Sequence, residues 1–395
     1  MREVKPDYYE QFSCIADLCS MTCCQEWKIA VDDATVHRWK QLAPPDGMKT
    51  RKKNLKAFIT YQENGCVITL DGEHRCPFLN EQSLCRLVSE YGDKVLSETC
   101  QIFPREVEQF ESRWEYSLMS CCPEAVDLLN RADTFTLVEK ETAEADRENV
   151  YHAGDCKTEQ AYFQIRNFFI EQMLAERPAE QNLLMIFYMA LDMQKTMGDD
   201  PSAFALADGL RLYQKKETIV QLEEALADFR INEKETFFER NELLLDLAVN
   251  YQKEGLYAPY LDKILGYAEQ ISEGETPDWN KIKQIKQNMR EYRPLFKKFL
   301  ASEIYAGCYL PGGSLSDMIV KLQWIAMSYS VICQSILLYG TLCGKVSYET
   351  VRNYLVVISR MTGYDEEDIY EYLDNSFEKR IWEFGYFALI TGTGE

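Results

Sequence analysis

The sequence predicts a mostly α-helical protein: a cysteine-rich N-terminal domain with a few short strands, followed by an all-helical C-terminal domain. Three observations carry this. Ten of the fourteen cysteines lie between Cys14 and Cys122. Beyond about residue 160 the apolar residues recur at helical spacing, as in Leu243, Leu244, Leu247, Ala248 and Tyr251. Between the two regions, Glu139 to Thr158 is polar, charged and poor in large apolar residues, the composition of a linker. The expected division is 1–135, a linker over 136–160, and 161–395.

Within the first part, Glu26 to Val31 alternates weakly. Cys66-Val-Ile-Thr-Leu, flanked by Asn64-Gly65 and Asp71-Gly72, reads as a strand, with Arg113 to Met119 as its partner. Asp32 to Leu42 and Ser83 to Leu96 read as helices. Helical segments follow near 160–175, 181–197, 201–228, 257–272, 280–306, 314–342, 347–361 and 365–390. Pro178, Pro201, Pro294 and Pro311-Gly312-Gly313 mark boundaries among them. The longest apolar stretch runs from Ile319 to Leu342. Lys321, Gln323 and Gln334 interrupt it and three serines dilute it, so it reads as a buried helix and not a membrane span.

Composition narrows the function classes. A hydrophobic fraction of 46% and an aromatic fraction of 12% over 395 residues support packed cores. A net charge of −21 repels phosphate, which argues against nucleic acid and anionic lipid as partners. The one compact basic run, Lys49 to Lys53 with Lys56 beyond, reads as a solvated face. The first residues carry no apolar h-region, so the expectation is a cytoplasmic protein.

Ten cysteines in about 110 residues exceed what inert buried thiols explain, and disulfides need an oxidising compartment. Thiolates are soft ligands that suit zinc, copper(I) and iron–sulfur centres, so the N-terminal domain is expected to bind metal. Four thiolates satisfy a structural zinc or a 4Fe–4S cluster equally well, and the spacing leaves both open. Tandem C-x-x-C knuckles are absent. The C-x-x-x-C-x-x-C pattern of radical adenosylmethionine enzymes begins at Cys19 and Cys23, but Glu26 stands where its third cysteine belongs.

The residues Cys19 to Trp27, Cys76-Pro77-Phe78-Leu79, Cys85, Cys100-Gln101-Ile102-Phe103-Pro104-Arg105 and Cys122-Pro123-Glu124 resemble the flagellin lysine-N-methylase (FliB) family. The segment from Cys19 to Pro104 also resembles the YkgJ-like cysteine-cluster domains, which are associated with zinc or iron. The first resemblance implies a flagellin lysine N-methyltransferase that uses S-adenosylmethionine and carries a 4Fe–4S cluster. Carried over by position, the metal ligands come from Cys14, Cys19, Cys23, Cys24, Cys76, Cys85, Cys100 and Cys122, with Cys19, Cys23, Cys85 and Cys100 ranked first. Cys66 and Cys121 look additional, as packing thiols. The alternative is a non-enzymatic zinc- or iron-chelating module that binds a protein partner in a groove between its helices.

No Gly-x-Gly-x-x-Gly loop follows a strand, so a doubly wound donor-binding domain is not expected. The sequence names no catalytic or donor-binding residue. Glu124 and Arg105 adjoin the cysteine motifs and read as capping or surface-pairing residues.

Overall fold

In the computed structural model, which describes residues 2–62, 65–141, 156–198, 200–227, 229–363 and 365–393, the chain opens on strand β1 (Arg2–Pro6). An excursion follows, holding α1 (Asp33–Trp39), β2 (Ile59–Gln62), β3 (Gly65–Ile68), α2 (Arg86–Tyr91) and α3 (Glu98–Ile102). The chain returns through β4 (Arg105–Gln109), β5 (Arg113–Leu118), α4 (Pro123–Arg131) and β6 (Leu137–Glu141). These strands form a sheet in the order β4-β5-β1-β6, with β1 parallel to β5 and the other pairs antiparallel.

The expected strand at 66–70 is present as β3, but its partner is β2 and not the 113–119 segment. The nearer segment takes the pairing, as sequential elements usually do. Strand β5 joins the other sheet, and its inward residues Arg113, Glu115 and Ser117 are polar, which disguised it as a core strand. The helix expected over 83–96 is confined to α2, because Gly92 turns the backbone to φ +75 and a short 3₁₀ turn follows. Asp32 caps α1 by accepting from the Thr35 amide at 2.8 Å, and its other oxygen accepts from the Glu98 amide at 2.9 Å. Burial opposes ionisation of Asp32, but these bonds outweigh it and hold its pKa at about 2. One carboxylate thereby fastens α1 to α3.

The rest of the chain is helical: α5 (Cys156–Leu174), α6 (Ala179–Met197), α7 (Ala203–Tyr213), α8 (Lys216–Ala227), α9 (Glu233–Glu254), α10 (Ala258–Ser272), α11 (Trp279–Met289), α12 (Arg293–Gly307), α13 (Leu315–Cys343), α14 (Tyr348–Thr362), α15 (Glu366–Ser376) and α16 (Phe384–Thr391). Three of the expected long segments are each two helices, broken near 214–215, 290–292 and 377–383. The proline signals fall where expected: Pro178 is the N-cap of α6 and Pro294 stands in the first turn of α12. Of the expected linker, 137–141 is β6 and α5 begins at Cys156; residues 142–155 lie outside the described residues.

Helix α13 is the axle of the bundle, touching α6, α9, α10, α11, α12, α14 and α16. A Ser314–Asp317 capping box starts it. By length and composition α13 could cross a membrane, yet 89% of its apolar window is buried inside the protein. Two of its polar residues find partners internally: Gln323 accepts from the Trp382 amide at 3.0 Å, and the Ser330 hydroxyl lies within hydrogen-bond distance of the Ala326 and Ile390 carbonyls.

Two buried clusters organise the packing. The smaller gathers Ile29, Trp39, Leu55, Phe58, Phe78 and neighbours from the excursion. The larger runs through the helices and also takes in Val4, Phe12, Leu118, Val126 and Phe135 from the sheet and α4. Where the sheet meets the bundle, Arg166 of α5 is fully buried and donates to both oxygens of Glu115 at 2.7 and 2.6 Å, and to the Tyr305 carbonyl at 3.1 Å. Arg113 pairs with the same carboxylate and lies over the Phe163 ring.

Breaking this group on one side strands a buried charge. Glu115→Gln and Arg166→Met are each expected to lower unfolding stability by about 3–5 kcal/mol. The Arg113→Leu/Glu115→Leu/Arg166→Met triple variant, which leaves no charge behind, should recover part of that loss. Urea midpoints of the three variants check it; single-variant midpoints equal to wild type would refute the assignment.

Candidate metal centre

The cysteine motifs sit on loops that short elements bring together. The 19–24 segment crosses to the segment before the Cys76-Pro77-Phe78-Leu79 turn through a bridge between Gln25 and Arg75, and the Cys76 amide donates to the Cys24 carbonyl at 2.8 Å. A bridge between Leu79 and Cys85 closes the next loop, so Cys76 and Cys85 flank one tight turn. Cys100 sits in α3, whose N-cap Ser97 oxygen accepts from the Cys100 amide.

The result is a group of four thiols, Cys24, Cys76, Cys85 and Cys100, in which every pair interacts electrostatically. Burial raises the pKa of Cys76, Cys85 and Cys100, and their neighbours' charges add to it; Cys100 is pushed up to about 11. Cys24 goes the other way, to about 7, chiefly because the Cys23 thiol donates to it. Cys23 is raised by giving that bond and by burial, and it also feels Cys100 and Cys14. Cys19 and Cys122 form an adjoining group: both are raised, by burial first, with Cys14 acting on Cys19 and Cys19 acting on Cys122, which reaches about 11.

All eight cysteines singled out from the sequence thus fall in one linked neighbourhood. Cys66 packs in the smaller buried cluster, and Cys121 is buried beside Cys122. Cys308 and Cys333 are buried in the bundle, and Cys343 is exposed at the end of α13. The side chain of Cys156 is outside the described residues. Among the described residues, no group of three or more His, Cys, Asp or Glu side chains is placed so that it could hold a metal ion. The donor chemistry, soft thiols carried by three separate segments, is of the kind that thiophilic centres use.

Sequence reasoning missed the residue that fastens this neighbourhood to the helices. Arg360 of α14 is buried and donates to three backbone carbonyls: Met21 at 2.9 Å, Thr22 at 3.3 Å and Cys121 at 3.0 Å. Its charge lowers the pKa of Cys19, Cys24, Cys121 and Cys122 against burial. The guanidinium stands 5.6 Å from the Trp27 ring, which packs edge-on against Phe103. Arg360 is separated from these motifs by some 240 residues or more, and no local pattern marks it. Beside it, two non-glycine residues with left-handed backbone meet, Glu26 (φ +67) and Tyr257 (φ +53), and the Tyr257 amide donates to the Glu26 carboxylate at 3.2 Å. Glu124 and Arg105 keep structural roles: Glu124 pairs with Arg131, and Arg105 donates to the Phe12 carbonyl.

A second polar group underlies the site. Ser120 donates to Glu303 of α12 at 2.7 Å, and Ser117 donates to Glu106 at 3.3 Å. Burial raises both carboxyls, with Glu303 reaching about 7 while its bond from Ser120 opposes the shift.

Two outcomes follow. Arg360→Met leaves three carbonyls without donors and should cost about 2–4 kcal/mol, with faster hydrogen exchange over 19–24 and 120–122 than over α13. Unchanged exchange there would contradict the role. For Glu303, a folded pKa above the usual 4.5 means folding favours the protonated acid, so its penalty is absent below about 4.5 and complete above about 7. Glu303→Gln should therefore be more stable than wild type at pH 8, with the gap closing as pH falls toward 4.5. Thermal midpoints across that range test the sign.

Comparison with known proteins places this architecture. The chain is 32% identical over 149 residues to the flagellar biosynthetic protein FliU of Salmonella muenchen, which covers 36% of this chain and 87% of that one. It is 28% identical over 222 residues to the lysine-N-methylases of Salmonella typhimurium and Salmonella choleraesuis, covering 54% of this chain and 49% of each of them. The match therefore spans about half the length of those lysine-N-methylases. No family model matches the chain, so the YkgJ-like likeness rests on its motifs alone, and no solved structure matches it. With FliU matched over most of its length, the chain belongs to the flagellar FliU and lysine-N-methylase (FliB) family.

Proposed function

We propose that the protein is a protein-lysine N-methyltransferase acting on flagellin, with S-adenosylmethionine as donor and a cysteine-ligated iron–sulfur or zinc centre. The observation that carries this reading is the likeness to relatives named lysine-N-methylase, with FliU's name pointing to the flagellum. The thirteen described cysteines are free thiols, which suits a reducing compartment and supports a cytoplasmic protein.

Cys24, Cys76, Cys85 and Cys100 would hold the centre, with Cys23 as the adjacent spare thiol. The centre's contribution when bound is to cross-link the loops that carry these residues and to fix a charge beside them. Arg360 would hold the 19–24 loop against α14 throughout. A lysine attacks only as the neutral amine, and its reference pKa of about 10.4 requires desolvation or a base. In the transfer, the nitrogen–methyl bond forms as the sulfur–methyl bond breaks, and the amine proton passes to a base or water. Most of the −21 falls after residue 125, so the helical surface attracts a lysine-bearing partner, an attraction that salt weakens.

The test begins with anaerobic purification and metal analysis. About four iron and four sulfide per chain identify a 4Fe–4S centre, and one zinc without colour identifies a structural thiolate site. Loaded protein incubated with flagellin and donor should add methyl increments to flagellin lysines by mass spectrometry. Loaded protein that adds none would leave the chelating interaction module as the better reading. Serine at Cys24, Cys76, Cys85 or Cys100 should remove the metal, whereas serine at Cys308, Cys333 or Cys343 should retain it. Equal loss in both sets would overturn the ligand assignment.

A further inference from the structure

The compact basic run is a charged patch that the proposed function leaves unused. Between Asp46 and Glu63 stand five basic residues, Lys49, Arg51, Lys52, Lys53 and Lys56, and no acidic one. The net charge is −21, yet among the described residues none of these five cations enters an ion pair. Lys49, Arg51, Lys52 and Lys53 are exposed. Lys52 lies over the Phe58 ring, 4.1 Å from its centroid, and Lys56 lies 5.5 Å from the centroid of Tyr61. The run and Tyr61 are therefore neighbours in space as well as in sequence.

The run leads into β2, and the register shows which way that strand faces. The Val31 amide donates to the Cys66 carbonyl at 2.8 Å, and the Ile68 amide donates to the Ile29 carbonyl at 2.9 Å. Cys66 and Ile68 of β3 thus turn their main-chain groups toward the 29–31 segment. In an antiparallel ladder, two residues directly opposite each other either exchange bonds or both turn outward. Tyr61 and Ile59 stand opposite Cys66 and Ile68, so their main-chain groups point away from β3. The Ile59 amide is taken by the Lys56 carbonyl. The Ile59 carbonyl and the Tyr61 amide and carbonyl have no hydrogen-bond partner among the described residues.

Open edges are usually guarded by a charge or a proline on the strand, by a bulge, or by a covering element. Strand β2 reads Ile-Thr-Tyr-Gln, without charge or proline, and its ladder to β3 is unbulged. Tyr61 is 60% exposed on it. An unguarded edge and a set of unpaired cations thus adjoin.

We propose that β2 is a docking edge for an extended acidic segment of a partner protein. The segment adds as a strand beside Tyr61, and its carboxylates meet the cations of the 49–56 run. Main-chain bonds supply affinity in this mode of recognition, and charge complementarity selects the partner. A nucleic acid offers no peptide edge to pair with β2, and the acidic remainder of the chain repels its phosphates. No thiol assigned to the metal lies on β2 or in the basic run, and the proposal does not depend on methyltransfer.

The experiment uses the full chain and a labelled, end-capped peptide of alternating valine and glutamate as probe. Anisotropy gives the affinity, and hydrogen exchange over 59–62 gives the place. Binding should saturate, weaken as salt rises and slow exchange in β2. Arg51→Glu/Lys53→Glu, at exposed positions, should weaken it about tenfold. Tyr61→Pro removes an outward amide without touching the bonds to β3, and should also weaken it about tenfold. An N-methylated version of the peptide keeps the charge, has no amide to donate, and should not bind. No saturable binding, unchanged affinity in the charge-reversal variant, or equal binding of the N-methylated peptide would each overturn the docking edge. Tighter binding of a single-stranded oligonucleotide would overturn it in favour of a nucleic-acid surface.

Discussion

The buried pairing of Arg166 with Glu115 is the constraint on which the rest of the architecture hangs. Glu115 lies on the inward face of a sheet strand, and Arg166 projects from the first long helix of the bundle. Neither charge is tolerable there alone, so sheet and bundle must meet in one register for both to be satisfied. Around that point Tyr305 donates to the Val4 carbonyl, Lys298 donates to the carbonyls of Asn130 and Ala132, and Asp127 accepts from Arg352. The sheet is thereby one face of the helical body.

The cysteine excursion stands in a different relation to that body. It has its own small core, and its polar ties to the bundle concentrate near one place: Arg360 to the carbonyls of Met21, Thr22 and Cys121, Arg352 to Ser20, and the Tyr257 amide to Glu26. The thiol neighbourhood is therefore positioned from two sides, by its own bridges and by α14. A cation held by backbone carbonyls also offsets part of the repulsion among thiolates, as the lowering it exerts on Cys24 and Cys19 indicates.

Much of this was legible in the sequence, for identifiable reasons. Helical periodicity located the bundle because its faces are continuously apolar, and Pro178, Pro201 and Pro294 fixed real boundaries. The cysteine-rich character of the N-terminal part was legible because thiol density is a local property. What escaped depends on long-range pairing. Strand β1 is a short run whose partners lie more than a hundred residues away. The inward polar face of β5 inverts the usual alternation, since its Glu115 is answered by Arg113 on the same strand and by Arg166 of α5. Arg360 and Glu303 carry no motif at all; their roles come from what the fold sets beside them.

The placement of β1 has a consequence for biogenesis. Its two neighbours are β5 and β6, so β1 is an interior strand of the sheet, and the residues that cover its two edges lie more than a hundred positions further along the chain. The parallel pairing with β5 closes a loop of more than a hundred residues, a slow step in which entropy is lost before contacts form. Until that pairing forms, the folding chain carries an unpaired strand edge together with many free thiols, the state in which edge-to-edge association and thiol oxidation compete with folding.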